Sequence, residues 1–190
     1  MAAFTVETAR SWLRGFADAV TGQAEHLTQL DSAIGDADHG TNLKRGMAAV
    51  LPRLEDAETL RALLKTVGMT FISKVGGASG SLYGSFFLEV AKALPDTAEA
   101  EGPDVETALR AGVASIVARG KAEPGDKTML DALQPALDAL GGALADGRSL
   151  ADAARAAADA AAAGRDATAP LVARKGRASY LGERSAGHID

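Results

Sequence analysis

The sequence contains no cysteine, which excludes a disulfide framework, a zinc-thiolate centre and a thiol nucleophile. Aromatic residues make up only 4% of the chain, and Val, Ile, Thr and Tyr never form the alternating runs that predict strands. No uncharged apolar run approaches the ~18 residues that a membrane span needs. The N-terminus also lacks the basic and apolar regions of a signal peptide. We therefore expect a cytoplasmic protein that contacts no membrane.

Basic residues are in the minority. The formal net charge is −5, and this disfavours direct binding to nucleic acid, because affinity for the phosphate backbone depends on clustered Lys and Arg. One local cluster lies near the C-terminus, where it could contact a compact polyanion such as a nucleotide or form an ordinary solvated surface. Its members are Arg174, Lys175, Arg177 and Arg184.

Helical periodicity dominates the chain, and we predict one all-α domain over residues 1–190. Eight helices joined by short connections favour an antiparallel up-and-down bundle or barrel. The polar segment 96–102 is interpreted as a connection, and Gly141-Gly142 as the end of the sixth helix. The first three predicted helices cover residues 5–27, 42–51 and 60–72. The fourth follows the glycine-rich turn 76–80 and stops before Pro95. The remaining four cover 103–120, 128–140 and 149–164 and a short segment that starts near Thr168.

Four loops between or after these helices carry the polar residues of interest. They cover residues 31–41, 76–81, 120–127 and 175–190. The first three follow the first, third and fifth helices, and such connections share one end of an up-and-down bundle. The spacing therefore predicts a functional site at one rim.

The first of these loops is rich in acids. Asp31, Asp36 and Asp38 lie close together in sequence, with Gly35 and Gly40 beside them. Carboxylates suit Mg²⁺ or Ca²⁺, and glycine lets the backbone approach an anion closely. The loop lacks the ligand spacing of an EF-hand. The pattern favours a phosphoryl-transfer component, although on the residues alone the acids could equally cap turns or lie on the surface.

Further polar residues and turns near these loops are interpreted as follows. The turn 76–81 precedes a helix whose N–H groups could bind a phosphate, but glycine also serves to bring helices together. For His39 we favour phosphate contact over catalysis. We interpret Asp126 as an N-terminal helix cap, and Met129 either as core or as the lining of a slot for a purine.

Four segments together resemble the L subunit or L domain of dihydroxyacetone kinases. They are 34–42 (IGDADHGTN), 76–80 (GGASG), 125–129 (GDKTM) and 175–185 (KGRASYLGERS), in the family's order. The resemblance implies an eight-helix antiparallel barrel that holds a nucleotide with two Mg²⁺ ions at one end. It implies Asp31, Asp36 and Asp38 as the metal ligands. The implied nucleotide-binding residues are His39, Gly40, Thr41, Asn42, Ala78, Ser79, Gly80, Gly120, Met129, Arg177 and Asp190.

The resemblance also implies an activity. In the phosphotransferase-system form of these kinases, bound ADP is a coenzyme. A phosphohistidine on an M subunit phosphorylates it, ATP exists transiently, and the group passes to dihydroxyacetone on a K subunit. The ATP-dependent form carries an additional substrate-binding half, so the length of this chain leads us to expect the first form. The alternatives are an L-type module for ATP or another ketose, a Mg·ADP-binding regulator, and a helical adaptor.

Overall fold

The computed structural model describes residues 3–189, apart from the side chain of Ile34. Asp190, one of the implied nucleotide contacts, lies outside the described residues. The described part confirms the all-α class. Its α-helices are α1 (Val6–Gly22), α2 (Ala24–Ile34), α3 (His39–Val50), α4 (Leu60–Lys74), α5 (Gly77–Ala93), α6 (Gly102–Gly120), α7 (Leu130–Ala145) and α8 (Leu150–Ala167), with 3₁₀ helices at Leu51–Asp56 and Arg177–Ser185.

From α2 onward, each helix packs against the next one in the chain, as an up-and-down bundle requires. The largest hydrophobic core lies among α1, α3, α4, α5 and α6 and includes the fully buried Leu13, Leu63 and Phe71. Smaller clusters join α6 to α7 and α7 to α8. Among the described residues, no helix combines the length and apolarity needed to cross a membrane.

The predicted first helix is wrong in one respect, since it is two helices. α1 ends at Gly22, and the chain turns at Gln23, whose N–H donates to the carbonyl oxygens of Ala19 and Thr21. α2 then carries Asp31 towards the acid loop. The start of α3 packs so closely on the start of α2 that a side chain at Gly40 would overlap the carbonyl oxygen of Ala24. The break therefore lets the second helical segment approach α3.

The segment 96–102 is not only a connection, because it contains a short strand. β1 (Phe4–Thr5) and β2 (Glu99–Ala100) pair antiparallel, with Phe4 opposite Ala100. Two-residue strands leave no alternation for a sequence pattern to reveal. They fasten the start of α1 to the segment that precedes α6.

Two predicted helix ends are wrong, because Gly141 and Gly164 lie inside helices, where they pack against neighbouring helices. α7 continues through Gly141-Gly142 to Ala145, and α8 continues through Gly164 to Ala167. A Cβ at Gly141 would overlap the Glu106 carboxylate of α6, and one at Gly164 would overlap the carbonyl oxygen of Asp131 in α7. These glycines therefore allow close contact between neighbouring helices.

The short helix predicted near Thr168 does not form. Thr168 is buried and ends α8, its hydroxyl donating to the carbonyl oxygen of Arg165 at 2.6 Å. Pro170 follows as a helix stop and not as a first helical position. The later Arg177–Ser185 segment is a 3₁₀ helix.

Some residues predicted on buried helix faces are partly exposed: Trp12 by 40%, Ile72 by 49% and Val117 by 37%. Trp12 nevertheless packs against the rings of Phe4 and Phe87.

The second predicted helix begins earlier than expected, at His39.

Candidate metal and nucleotide site

The three acids of the first loop come together. Asp31 lies in the last turns of α2, and Asp36 and Asp38 lie in the loop before α3. One carboxylate oxygen from each lies within 4.8 Å of the others, with Asp31 half-buried and the other two exposed. Three carboxylates this close suit a hard divalent cation, which accepts oxygen ligands. The predicted grouping of these acids is therefore what the fold produces.

The local backbone orients the Asp31 carboxylate. Its Oδ2 accepts hydrogen bonds from the N–H groups of Asp38 at 2.9 Å and His39 at 3.2 Å. The other oxygen, Oδ1, packs so closely on Gly35 that a Cβ there would overlap it. Gly35 has a φ of −145°, so the requirement for glycine is one of space and not of backbone strain. The loop thus forms a cradle in which hydrogen bonds orient one oxygen of the carboxylate and Gly35 makes room for the other.

Arg177 supplies positive charge beside these acids. Its Nη1 lies 3.0 Å from Oδ2 of Asp36, and both side chains are about half exposed. One guanidinium against three carboxylates leaves an excess of two negative charges, which a divalent cation would balance. The donor set therefore fits Mg²⁺. Arg177 belongs to the C-terminal segment, so this ion pair joins two loops that are far apart in sequence.

On the other side of the acids, two helix N-termini meet. α3 begins at His39 and α5 at Gly77, and the two starts are linked by a 3.1 Å hydrogen bond between His39 Nδ1 and Ser79 Oγ. A Cβ at Gly80 would overlap the carbonyl oxygen of Val75, so the first turn of α5 folds tightly onto the preceding chain. Helix N-termini present N–H groups and the positive end of the helix dipole to an anion. The acids and these two termini therefore adjoin one another.

Asn42 and Ala78 complete this side. Asn42 is buried, and its side-chain oxygen accepts a 2.6 Å hydrogen bond from Arg45. A Cβ at Gly76 would lie 3.7 Å from the Asn42 amide, so Asn42 borders the glycine turn. Ala78 is exposed in the first turn of α5.

Thr41 points away from this group. It is exposed and lines a groove of about 740 Å³ between α2 and α3, together with Ser32 and Lys44. A smaller cavity of about 430 Å³ lies beside the acids and is lined by Ala33, Gly35, Arg177, Tyr180 and Leu181. Sequence reasoning gave Tyr180 and Leu181 no role, and only their position beside Arg177 within the fourth motif could have suggested one.

Gly120 and Met129 lie at the two ends of the neighbouring loop between α6 and α7. Gly120 ends α6, and its ideal Cβ would lie 4.0 Å from Leu82, one turn into α5 from Ser79. Met129 is half-buried at the start of α7. This loop reaches the C-terminal segment through the N–H of Arg174, which donates to the carbonyl oxygen of Asp126 at 3.0 Å.

Asp126 is not the helix cap that the sequence predicted. Its side chain accepts from the N–H of Glu123 at 2.8 Å and so closes the preceding turn. Asp131, inside α7, instead accepts from the N–H groups of Gly125 at 2.5 Å and Thr128 at 2.9 Å. The carboxylate of Asp131, in the first turn of α7, thus orders the loop that leads into this helix.

A family model described as the DAK2 domain matches residues 33–190. The chain belongs to this family. Among its relatives, the ADP-binding subunit DhaL of the PEP-dependent dihydroxyacetone kinase of Escherichia coli K12 is 43% identical over 95% of this chain and 87% of the relative. The ADP-binding subunit DhaL of the PTS-dependent dihydroxyacetone kinase of Lactococcus lactis is 40% identical over 98% of this chain and 90% of its own length.

Longer proteins contain a DAK2 domain as one part. D-erythrulose kinase of Mycolicibacterium smegmatis is 34% identical over 92% of this chain, which spans 31% of that enzyme. The crystal structure of the C. freundii dihydroxyacetone kinase with AMP-PNP and Mg²⁺ matches with a TM-score of 0.71 and 28% identity, over 93% of this chain and 30% of that one. The native form matches with a TM-score of 0.69 and 31% identity, over 95% and 31% of the two chains. The fold is therefore that of the DAK2 part of these kinases.

Proposed function

We propose that this chain is the ADP-binding subunit of a dihydroxyacetone kinase that depends on the phosphotransferase system. The observation that carries the proposal is the meeting of three carboxylates with two helix N-termini, because this combines ligands for Mg²⁺ with donors for phosphate. The similarity to DhaL subunits, which covers 95% and 98% of this chain in the two comparisons, supports the same conclusion. ADP would serve as a coenzyme that is phosphorylated transiently to ATP.

Each part of the site would have a distinct task. Asp31, Asp36 and Asp38 would hold Mg²⁺. We infer two ions that share a carboxylate, because the diphosphate of ADP would add its own negative charge to that of the acids. When bound, Mg²⁺ would neutralise the charge of the phosphates during in-line transfer. His39, Gly40 and Asn42 of α3 and the first turn of α5, with Ala78, Ser79 and Gly80, would surround the phosphates with N–H and side-chain donors.

The rest of the nucleotide would contact more distant residues. Arg177 lies beside Asp36, where it can pair with phosphate oxygens. Met129 and Gly120 belong to the loop next to α5 and would border the base or ribose. For Thr41 the groove position supports a contact through its backbone at the start of α3 more than one through its side chain. No side chain here needs to act as a nucleophile, because the phosphoryl group moves directly between partners and nucleotide.

The proposal includes two partners. A phosphohistidine-carrying M subunit would donate the phosphoryl group, and a dihydroxyacetone-binding K subunit would present the acceptor. The higher identity to DhaL subunits, 43%, than to the erythrulose kinase, 34%, supports this arrangement over an ATP-dependent enzyme for another ketose. Such a subunit would work in the cytoplasm, without direct contact with nucleic acid or membrane.

Phosphoryl exchange tests the proposal. The purified chain, loaded with ADP and Mg²⁺, is mixed with the phosphorylated M subunit of the E. coli system, and the nucleotide is released by acid and analysed. We expect ATP to form on the chain and to revert to ADP when the K subunit and dihydroxyacetone are added. Binding of Mg·ADP without any exchange would contradict the proposal and identify a regulatory module instead.

A further inference from the structure

A fully buried lysine lies in the loop between α6 and α7. Lys127 has an exposed fraction of 0%. Its ammonium donates hydrogen bonds to three backbone carbonyl oxygens, those of Ser185 at 2.6 Å, Leu171 at 3.0 Å and Ala169 at 3.4 Å. Lysine is almost never fully buried unless its charge is paired or well solvated by the protein. Here the carbonyl oxygens of the C-terminal segment, residues 169–187, replace water around the ammonium.

The backbone at Lys127 is also unusual. Its φ is +60°, in the left-handed region that favours glycine. A bulky residue in this region costs free energy and persists when surrounding contacts compensate. The three hydrogen bonds of the ammonium provide such compensation. A lysine is therefore present where the local backbone alone would favour glycine or asparagine.

The C-terminal segment depends on polar contacts of this kind. Its well-buried side chains are small, namely Ala173, Ala178 and Ser185, so it gains little from apolar burial. Three backbone N–H groups fasten it: that of Ala173 donates to Ser185 Oγ at 2.8 Å, that of Arg174 to Asp126 O at 3.0 Å, and that of Gly187 to Ala169 O at 2.7 Å. Lys127 contacts both the start and the end of this segment and so closes it into a loop.

Arg177 lies in the middle of this closed segment. Its side chain is 62% exposed, and that of its ion-pair partner Asp36 is 48% exposed. Ion pairs this exposed contribute too little free energy to hold a segment in place. We propose that Lys127 is a positioning residue: its ammonium fixes the C-terminal segment so that Arg177 stays beside Asp36. The consequence for nucleotide binding rests on the proposed function, whereas the effect on the segment does not.

Hydrogen exchange in the nucleotide-free protein tests the structural part. Lys127→Met keeps the length of the side chain and removes the ammonium. Lys121→Met is the matched control, because Lys121 belongs to the same loop and has a φ of +54° but is exposed. We expect the amides of Ala173, Arg174 and Gly187 to exchange about tenfold faster in Lys127→Met, with helix content and the control unchanged. Unaltered exchange would overturn the proposal.

A double-mutant cycle tests whether Lys127 acts through Arg177. Lys127→Met and Arg177→Gln should each weaken Mg·ADP binding about tenfold. The double variant should bind Mg·ADP no more weakly than the weaker-binding of the two single variants. A purely structural role would instead give additive losses, and additive losses would overturn the proposal. If the wild-type chain does not bind Mg·ADP, the proposed function is wrong. Hydrogen exchange alone then decides whether Lys127 fixes the C-terminal segment.

Lys127→Arg covers the case in which Lys127→Met does not fold. Arginine keeps the charge, but its donors lie in one plane and do not match three carbonyl oxygens arranged around a compact ammonium. We expect it to show the same faster exchange at Ala173, Arg174 and Gly187. Wild-type exchange and wild-type affinity in Lys127→Arg would overturn the requirement for a compact ammonium.

Discussion

At the residue scale, the acid loop depends on small side chains as much as on charged ones. The Asp31 carboxylate is fixed by two backbone N–H groups on one oxygen and by close packing against Gly35 on the other. Asp36 is oriented by Arg177 from the C-terminal segment. Preorganised ligands bind a cation more tightly, because less ordering is needed on binding.

Gly35→Ala should therefore disrupt the metal site without disturbing the fold. The added methyl group overlaps Asp31 Oδ1, so the carboxylate must move, and Mg²⁺ affinity in the presence of ADP should fall between about 10- and 100-fold by calorimetry. Gly15→Ala is the control, since nothing lies within 4 Å of its ideal Cβ. That change, in the middle of α1, should stabilise the protein by about 1 kcal/mol. Wild-type Mg²⁺ affinity in Gly35→Ala would show that the position of Asp31 is not needed.

His39→Ala tests the phosphate side. His39 is half-buried and linked to Ser79, whereas His26 is exposed on α2. Loss of a donor to a phosphate should weaken ADP binding about tenfold, and His26→Ala should leave it unchanged. Fluorescence titration with an ADP analogue measures both. Equal affinities in the two variants would remove His39 from the phosphate site.

At the element scale, capping and packing decide where helices begin and end. The Ser149 hydroxyl caps α8 by accepting from the N–H of Asp152 at 3.1 Å, and α8 otherwise buries little more than Ala153. Ser149→Ala should lower the free energy of unfolding by about 1 kcal/mol, while Ser149→Asp, which can also cap, should retain it. Urea denaturation distinguishes the two. Identical midpoints for all three proteins would mean that the cap is not important.

Most of the helices and several of their ends could be predicted from the sequence. The openings near Thr5 and Ser149 follow from capping residues, and the periodic apolar faces give most of the helices. The role of Gly141 and Gly164 could not be predicted, because a glycine can either end a helix or allow a neighbouring helix to pack closely. Only the packing partner in the fold distinguishes the two roles. The β1–β2 pair likewise depends on a contact between residues that are distant in sequence.

The site was predictable to a similar degree. The grouping of Asp31, Asp36 and Asp38 was expected from the motifs and is present. The ion pair of Arg177 with Asp36 was not expected, because it joins two loops that are far apart in sequence. The burial of Lys127 was not predictable, because the three acceptors described for its ammonium are backbone carbonyl oxygens, which carry no signal in the sequence. The direction of Thr41 depends on how α2 lies against α3.

At the scale of the whole molecule, four loops from different parts of the chain meet at one end of the bundle. His39 joins the acid loop to the glycine turn, Arg177 joins it to the C-terminal segment, and Asp126 joins that segment to the loop before α7. A ligand that contacts several of these loops should stabilise the folded state by mass action.

Thermal denaturation measures this stabilisation. At free Mg·ADP about 100-fold above its Kd, the folded state should gain about 2.7 kcal/mol, and the melting temperature should rise accordingly. ADP with a chelator should give a smaller rise, because the acids then repel the phosphates. A rise that is the same with and without Mg²⁺ would contradict a metal-dependent nucleotide site.

The central claim is that the three acids hold Mg·ADP, and titration of ADP by calorimetry tests it most directly. The wild-type chain, Asp36→Asn, Asp38→Asn and the control Asp159→Asn on the exposed side of α8 are compared with and without Mg²⁺. We predict Mg²⁺-dependent binding in the wild type and the control, and loss of that binding and of phosphoryl transfer in the two loop variants, with the helical fold retained. Wild-type affinity and transfer in either loop variant would contradict the account.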